Sequence, residues 1–221
     1  MIDQNSTAER IVEDASSYKE VAINDHKIKF CLKFAKNKTV LDLGCVQHDP
    51  IQYQSKYWLH KALKTTSKSL IGLDYDKDGV EFLKEIGFDI VCGDAQNFDL
   101  KRKFDVIIAG DLIEHLANFE GFLLSCKKHM NADSRLIIST PNPWYWKYIV
   151  KSIMSYEVYN NPEHTCWLCP STLRQLVNRY GFDISEIKFG SRYKSDRFMP
   201  LPRGIKHTSF HAEILLTENN Q

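Results

Sequence analysis

Five short runs of almost wholly apolar residues, each followed by a stretch with helical spacing, constrain this chain more than any other feature of its sequence. The runs are Val40–Leu43, Leu70–Leu73, Ile90–Cys92, Val106–Ala109 and Leu136–Ser139. Each is rich in Val, Ile and Leu and apolar on consecutive positions, the pattern of strands covered on both faces by helices. Alternation of such strands with helices predicts an α/β fold with a doubly wound, mostly parallel sheet.

The segments between the runs carry helix signals. Ile28, Cys31, Leu32 and Ala35 mark a helix packed over the start of the sheet. Asp49-Pro50 offers an N-cap and an N1 proline, predicting a helix that runs through Trp58, Leu59, Ala62 and Leu63. The next helix carries Val80, Leu83 and Ile86 and ends at Gly87, a candidate left-handed cap. After the fourth run, Leu112, Leu116, Phe119, Leu123, Cys126 and Met130 fall at steps of three and four and predict one long apolar stripe. Later, Ser171 is a candidate N-cap for a helix with Leu173, Leu176, Val177 and Tyr180 inward, closed by Gly181. Two more strands follow, over Phe182–Phe189 and through the alternation of Phe210, Ala212, Ile214 and Leu216. The chain divides as one domain over residues 1–221. Its parts are an N-terminal helical segment (1–37), a core (38–140), an aromatic segment (141–169) and a closing helix with a strand pair (170–221).

In doubly wound sheets, ligands bind beyond the carboxyl ends of the strands, where the strand order reverses. The first strand ends in VLDLGC, with Asp42 in the strand and Gly44 in the turn. The second ends in IGLDYD on Asp74, followed by Tyr75. The third opens into VCGDAQNF, with Asp94 and Ala95 in the turn, and the fourth releases Gly110 and Asp111. Four carboxylates are ill suited to a phosphate-rich cofactor; they suit a nucleoside with a cationic tail. A carboxylate at the second strand end can accept two hydrogen bonds from ribose hydroxyls. Asp94 is placed to accept from an adenine amino group, and Asp42 and Asp111 to face a sulfonium or amino-acid portion.

This ordered set of strand endings resembles the class I S-adenosylmethionine-dependent methyltransferases, at motif level from about Val40 to Asn142. The resemblance implies a Rossmann-like three-layer α/β/α fold with a seven-stranded sheet whose last strand is antiparallel. It implies S-adenosyl-L-methionine as cofactor, with Asp74 on the ribose, Asp94 on the adenine, and Gly44 and Gly110 at the methionine part. Cys45, His48, Tyr75 and Ala95 complete the expected cofactor contacts. The Asn/Asp-Pro-Pro-aromatic tetrad of related amino methyltransferases is absent after the fourth strand, and Pro141-Asn142-Pro143-Trp144 comes one strand too late. O-methylation of a small molecule or saccharide is therefore the preferred reading.

One departure from the family pattern stands out. The first loop reads Asp42-Leu43-Gly44-Cys45-Val46-Gln47-His48, with one glycine where the family usually has three. A wider loop over Val46–Asp49, with Gln47 or His48 at the cofactor, accounts for this. A methyltransferase-like scaffold that has lost turnover is the alternative. A nicotinamide dehydrogenase is disfavoured, since no phosphate-cradling glycine set follows the first strand.

Of the remaining candidates, His115 reads as a general base or as a residue that packs the cofactor loop. Trp144, Tyr145, Trp146 and His164 are candidate acceptor contacts in an aromatic segment that could close over the cofactor. That segment could also lie on a membrane surface through Ile149, Val150, Ile153 and Met154, with packing of a lid helix the preferred reading. Cys166 and Cys169 form a CxxC beside His164 without a fourth ligand at a recognisable spacing, and no metal is expected. The basic stretch Lys188, Arg192, Lys194, Arg197, Arg203 and Lys206 reads equally as an acidic-substrate contact or a solvated loop.

The formal charge of +1 weighs against a dedicated nucleic-acid binder, whose phosphate contacts need a basic excess. The first residues, MIDQNSTAER, hold no hydrophobic signal region, and no apolar run nears the ~20 residues of a membrane span. A cytoplasmic location with reduced cysteines is expected.

Overall fold

The computed structural model describes residues 21–22, 25–47, 53–155, 161–190, 193, 196 and 198–217. All seven expected strands are present: β1 Thr39–Leu43, β2 Ser69–Asp74, β3 Ile90–Cys92, β4 Phe104–Gly110, β5 Met130–Pro141, β6 Phe182–Gly190 and β7 Ser209–Leu216. They form one sheet in the order β3-β2-β1-β4-β5-β7-β6. β7 runs antiparallel to both its neighbours, and the pairings from β3 to β5 are parallel. This is the expected Rossmann-like doubly wound sheet, with the last strand reversed.

Seven helices accompany the sheet among the described residues: α1 His26–Ala35, α2 Leu59–Lys64, α3 Lys77–Glu85, α4 Phe119–Lys128, α5 Trp146–Ser155, α6 Pro170–Asn178 and α7 Arg203–Lys206. The consecutive apolar runs are explained by burial on both sheet faces. Leu41, Leu43, Ile107 and Ala109 join one cluster with Phe122, Leu123 and Leu173. Their neighbours Val40, Val106 and Ile108 join another with Ile28, Cys31, Ala62 and Leu63. Gly87 and Gly181 close their helices with φ of 90° and 78°, as expected.

Three helix boundaries differ from expectation. The stripe from Leu112 to Met130 is not one helix. A 3₁₀ turn, Ile113–His115, is followed by extended Leu116. Asn118 then starts α4 anew, its side chain accepting from the Gly121 amide at 2.9 Å, and Met130 already belongs to β5. The helix expected from Asp49-Pro50 begins only at Leu59, with Trp58 at its N-cap; Asp49 and Pro50 lie outside the described residues. Cys169, not Ser171, caps α6, with Pro170 at its first position. Among the described residues, no helix is long and apolar enough to cross a membrane.

Candidate functional site

The sheet order reverses between β1 and β4: the chain leaves β1 for β2 and β3 on one side, then returns to β4 on the other. A crevice is expected at the carboxyl ends of those two strands. Gly44 opens the first loop with φ of 70°, which favours glycine. A Cβ there would stand 3.0 Å from Leu112 Cδ1. Beyond it the loop runs against the fold. The carbonyl of Cys45, itself buried, accepts from Trp58 Nε1 at 2.8 Å. The Val46 amide donates to Asp74 Oδ2 at 2.8 Å. His48 lies outside the described residues.

Asp74 ends β2 nearly buried, its second oxygen accepting from the Asp76 amide at 3.1 Å. Burial pushes its carboxyl above the usual range, while the Asp76 and Val46 amides work in the opposite direction. Tyr75 beside it is exposed. The Gly93 amide donates to the Asp74 carbonyl, so the turn carrying Asp94 starts against the end of β2. Asp94 is exposed and accepts from the Gln96 amide at 2.8 Å; Ala95 is buried behind it. Gln96 Oε1 accepts from the Ala117 and Asn118 amides, which ties this turn to the loop after β4.

Asp42 turns inward instead. It is 2% exposed, and its Oδ2 lies 2.9 Å from His60 Nδ1 of α2. Any contact between Asp42 and a bound ligand has to compete with that pair.

At the end of β4, Gly110 leads into Asp111, whose φ of 54° is unusual for a residue with a side chain. The Asp111 amide donates to the Ser139 carbonyl, and the Ser139 hydroxyl donates to Asp111 Oδ1 at 2.7 Å. Lys27 Nζ of α1 sits 2.7 Å from Asp111 Oδ2. Burial opposes charge on both partners. The Lys27 ammonium and the Ser139 hydroxyl nevertheless hold Asp111 below the usual carboxylate range, and Asp111 raises Lys27. A cleft of about 360 Å³ opens here, lined by Asp25, Lys27, Gln47, Ser55, Tyr57, Asp111 and Ser209. Lys27 has no sequence signal, since its partner is 84 residues away.

Beyond Asp111 the 3₁₀ turn presents Glu114 and His115. Glu114 is 2% exposed, with Oε2 accepting from Thr140 Oγ1 at 3.0 Å. Its burial, then the negative charge of Asp111, push its carboxyl up to about 8. His164 of the aromatic segment meets His115 edge to face, ring centroids 4.8 Å apart. Burial, then His115, push the His164 imidazole down. Thr165 fixes this meeting: its amide donates to the Glu114 carbonyl at 2.8 Å, and its Oγ1 donates to the Leu116 carbonyl at 2.9 Å.

The three expected aromatic contacts separate. Tyr145 is core, its hydroxyl donating to Asp196 Oδ2 at 2.7 Å. Trp146 is half-buried against the same carboxylate, and Trp144 is exposed. The apolar residues of α5 are uncovered, Ile153 and Met154 above all. Of the basic stretch, Arg192, Lys194 and Arg197 lie outside the described residues; Lys188 pairs with Glu186 and Lys206 Nζ donates to the Met199 carbonyl.

Gly44, Asp74 and Asp94 thus stand at the ends of three successive strands of a doubly wound sheet. A family described as a methyltransferase domain matches residues 17–187. The chain belongs to the class I S-adenosylmethionine-dependent methyltransferases. Similar curated proteins include a ubiquinone biosynthesis O-methyltransferase of Rickettsia conorii, 24% identical over 84% of this chain and 66% of that protein. Another is the (S)-tetrahydroprotoberberine N-methyltransferase of Eschscholzia californica, 26% identical over 62% of this chain and 36% of that protein. The chain thus spans between about a third and two thirds of the length of such relatives. Among solved structures, a SAM-dependent methyltransferase from Archaeoglobus fulgidus superposes with a TM-score of 0.63 at 19% identity, covering 86% of this chain and 91% of its own.

Proposed function

We propose that this chain transfers a methyl group from S-adenosylmethionine to an oxygen of a small-molecule or saccharide acceptor. The residues present suit the cofactor. Asp74 offers carboxylate oxygens to ribose hydroxyls and Asp94 accepts from the adenine amino group, with Ala95 and Tyr75 flanking the base. Gly44, Cys45 and Gly110 border the methionine portion. The one lysine lining the crevice is already neutralised by Asp111, so nothing there calls for phosphates.

Bound in this way, S-adenosylmethionine supplies a methyl carbon made electrophilic by its sulfonium. The protein aligns the acceptor oxygen with that carbon, excludes water and removes the hydroxyl proton. The single observation that carries the oxygen reading is the meeting of Glu114, His115 and His164 just beyond Asp111. His115 is the proposed base, with Glu114 and His164 beside it. His164 and exposed Trp144 are the proposed acceptor contacts. Tyr145 and Trp146, held by Asp196, support that wall from behind.

The relatives include both O- and N-methyltransferases, so the experiment must identify the methylated atom. Purified protein with methyl-labelled S-adenosylmethionine and cell extract should yield a labelled small product carrying an O-methyl group. An N-methyl product would overturn the oxygen assignment. Failure to bind S-adenosylhomocysteine in calorimetry would overturn the enzyme reading.

A further inference from the structure

We propose that Glu114, His115 and His164 form a binding site for one divalent cation of the zinc class. One carboxylate oxygen of Glu114 and one ring nitrogen from each histidine lie within 4.8 Å of one another. Ligand atoms around a tetrahedral zinc, each at about 2.1 Å, stand roughly 3.4 Å apart. Small side-chain rotations on these three residues therefore close the set around an ion.

Two buried polar atoms in this cluster independently point to a ligand. Glu114 Oε1 and His164 Nδ1 are both buried without a hydrogen-bond partner. Buried polar atoms are rarely left unsatisfied, because desolvation then goes uncompensated. A cation bound between them would satisfy both.

The surroundings resemble the supporting shell of a metal site, in which outer groups orient the ligands. Thr140 Oγ1 donates to the other Glu114 oxygen at 3.0 Å. Thr165 Oγ1 and its amide pin the His164 segment to the carbonyls of Glu114 and Leu116. The neighbouring thiols do not share the site: Cys166 Sγ faces the carbonyls of Ile113 and Glu114, and Cys169 caps α6. His164 thus belongs with Glu114 and His115, not with the CxxC.

Two imidazoles and one carboxylate leave positions open for an exogenous oxygen ligand. Resting on the oxygen-acceptor reading, those positions would bind and acidify the acceptor hydroxyl, whose proton passes to water. His115 would then act as a ligand while the ion is bound, and the cation, not the imidazole, would activate the acceptor.

Chelator-treated protein, titrated with Co²⁺ and followed by visible absorption, tests the site. The expected result is one Co²⁺ per chain, displaced by Zn²⁺. Glu114→Gln and His164→Ala should each weaken uptake by about tenfold or more, and Cys169→Ser should leave it unchanged. Circular dichroism confirms folding, and His115→Asn, on a half-buried ring, replaces any variant that fails to fold. No uptake by the folded wild type, or uptake unaffected by Glu114→Gln and His164→Ala, would overturn the site. Specific uptake supports it whatever the acceptor proves to be. O-methyl transfer by the metal-free protein at an undiminished rate would overturn the catalytic role alone and leave the oxygen-acceptor reading standing.

Discussion

His211 should make this protein acid-sensitive through a single side chain, and the size of the effect follows from its surroundings. It lies on β7 opposite Ser139 of β5 and Lys188 of β6. The ring is 2% exposed, stacked on Phe30 with centroids 5.5 Å apart, and neither ring nitrogen has a partner. Burial, the largest influence, lowers its imidazole from 6.5 to about 4. Asp111 and Asp25 pull upward, while Lys27 and His26 push down.

Between those two values the unfolded chain binds a proton at His211 that the folded chain does not, so stability falls as pH falls. The contribution is fully present above about pH 6.5 and is lost progressively toward pH 4, where the folded ring also protonates. A gap of this width corresponds to about 3 kcal/mol. His211→Leu removes the titration while keeping an apolar contact with Phe30. Urea unfolding followed by tryptophan fluorescence from about pH 7.5 to about pH 4.5 should show the wild type losing roughly 2–3 kcal/mol more than the variant. Carboxylates common to both proteins cancel in that difference. Parallel stability profiles would refute the reasoning, whatever the absolute stabilities.

Asp74→Asn, which keeps the shape and removes the charge, should weaken S-adenosylhomocysteine binding by about 1.5–3 kcal/mol in calorimetry; unchanged affinity in the folded variant would remove Asp74 from the cofactor site. Gly79→Ala would place a Cβ 2.4 Å from Val46 Cγ1 and 2.5 Å from Asp76 Oδ2. It should lower the melting temperature and cofactor affinity together, and a variant with neither change would show that Val46 is not held there. Cys169, lowered to about 7 because hydrogen bonds from Ser171 and Thr172 outweigh its burial, should alkylate faster than buried Cys31 and Cys126 at neutral pH; peptide mapping that finds Cys31 or Cys126 modified first would contradict this.

The strands were legible because burial on both faces leaves a mark on consecutive residues: Val40, Leu41 and Leu43 are each fully buried. Apolar spacing could not show where a side chain competes for backbone amides. Asn118 therefore breaks a stripe that reads as continuous, and Cys169 takes the cap that Ser171 offers. Gly44 and Asp74 stand at their strand ends as sequence reasoning required, yet the inward turn of Asp42 depended on His60, a residue with no distinguishing pattern around it. Glu114, His115 and His164 were all visible as residues that could carry chemistry. What brings them together is a pair of bonds from the Thr165 amide and hydroxyl, which no spacing rule reports.

The loss of glycines from the first loop has a spatial answer on the facing helix. Glycine serves such a loop in two ways, by allowing positive φ and by leaving room. Gly44 alone meets the first need, at φ of 70°. The second falls on Val46, whose side chain occupies the space a Cβ on Gly79 would fill, so the room is found in α3 instead of in the loop. The Val46 amide is thereby aimed at Asp74 Oδ2, and the Cys45 carbonyl at Trp58 Nε1. Gly79 on α3 thus supplies the room that a glycine within the loop would otherwise give.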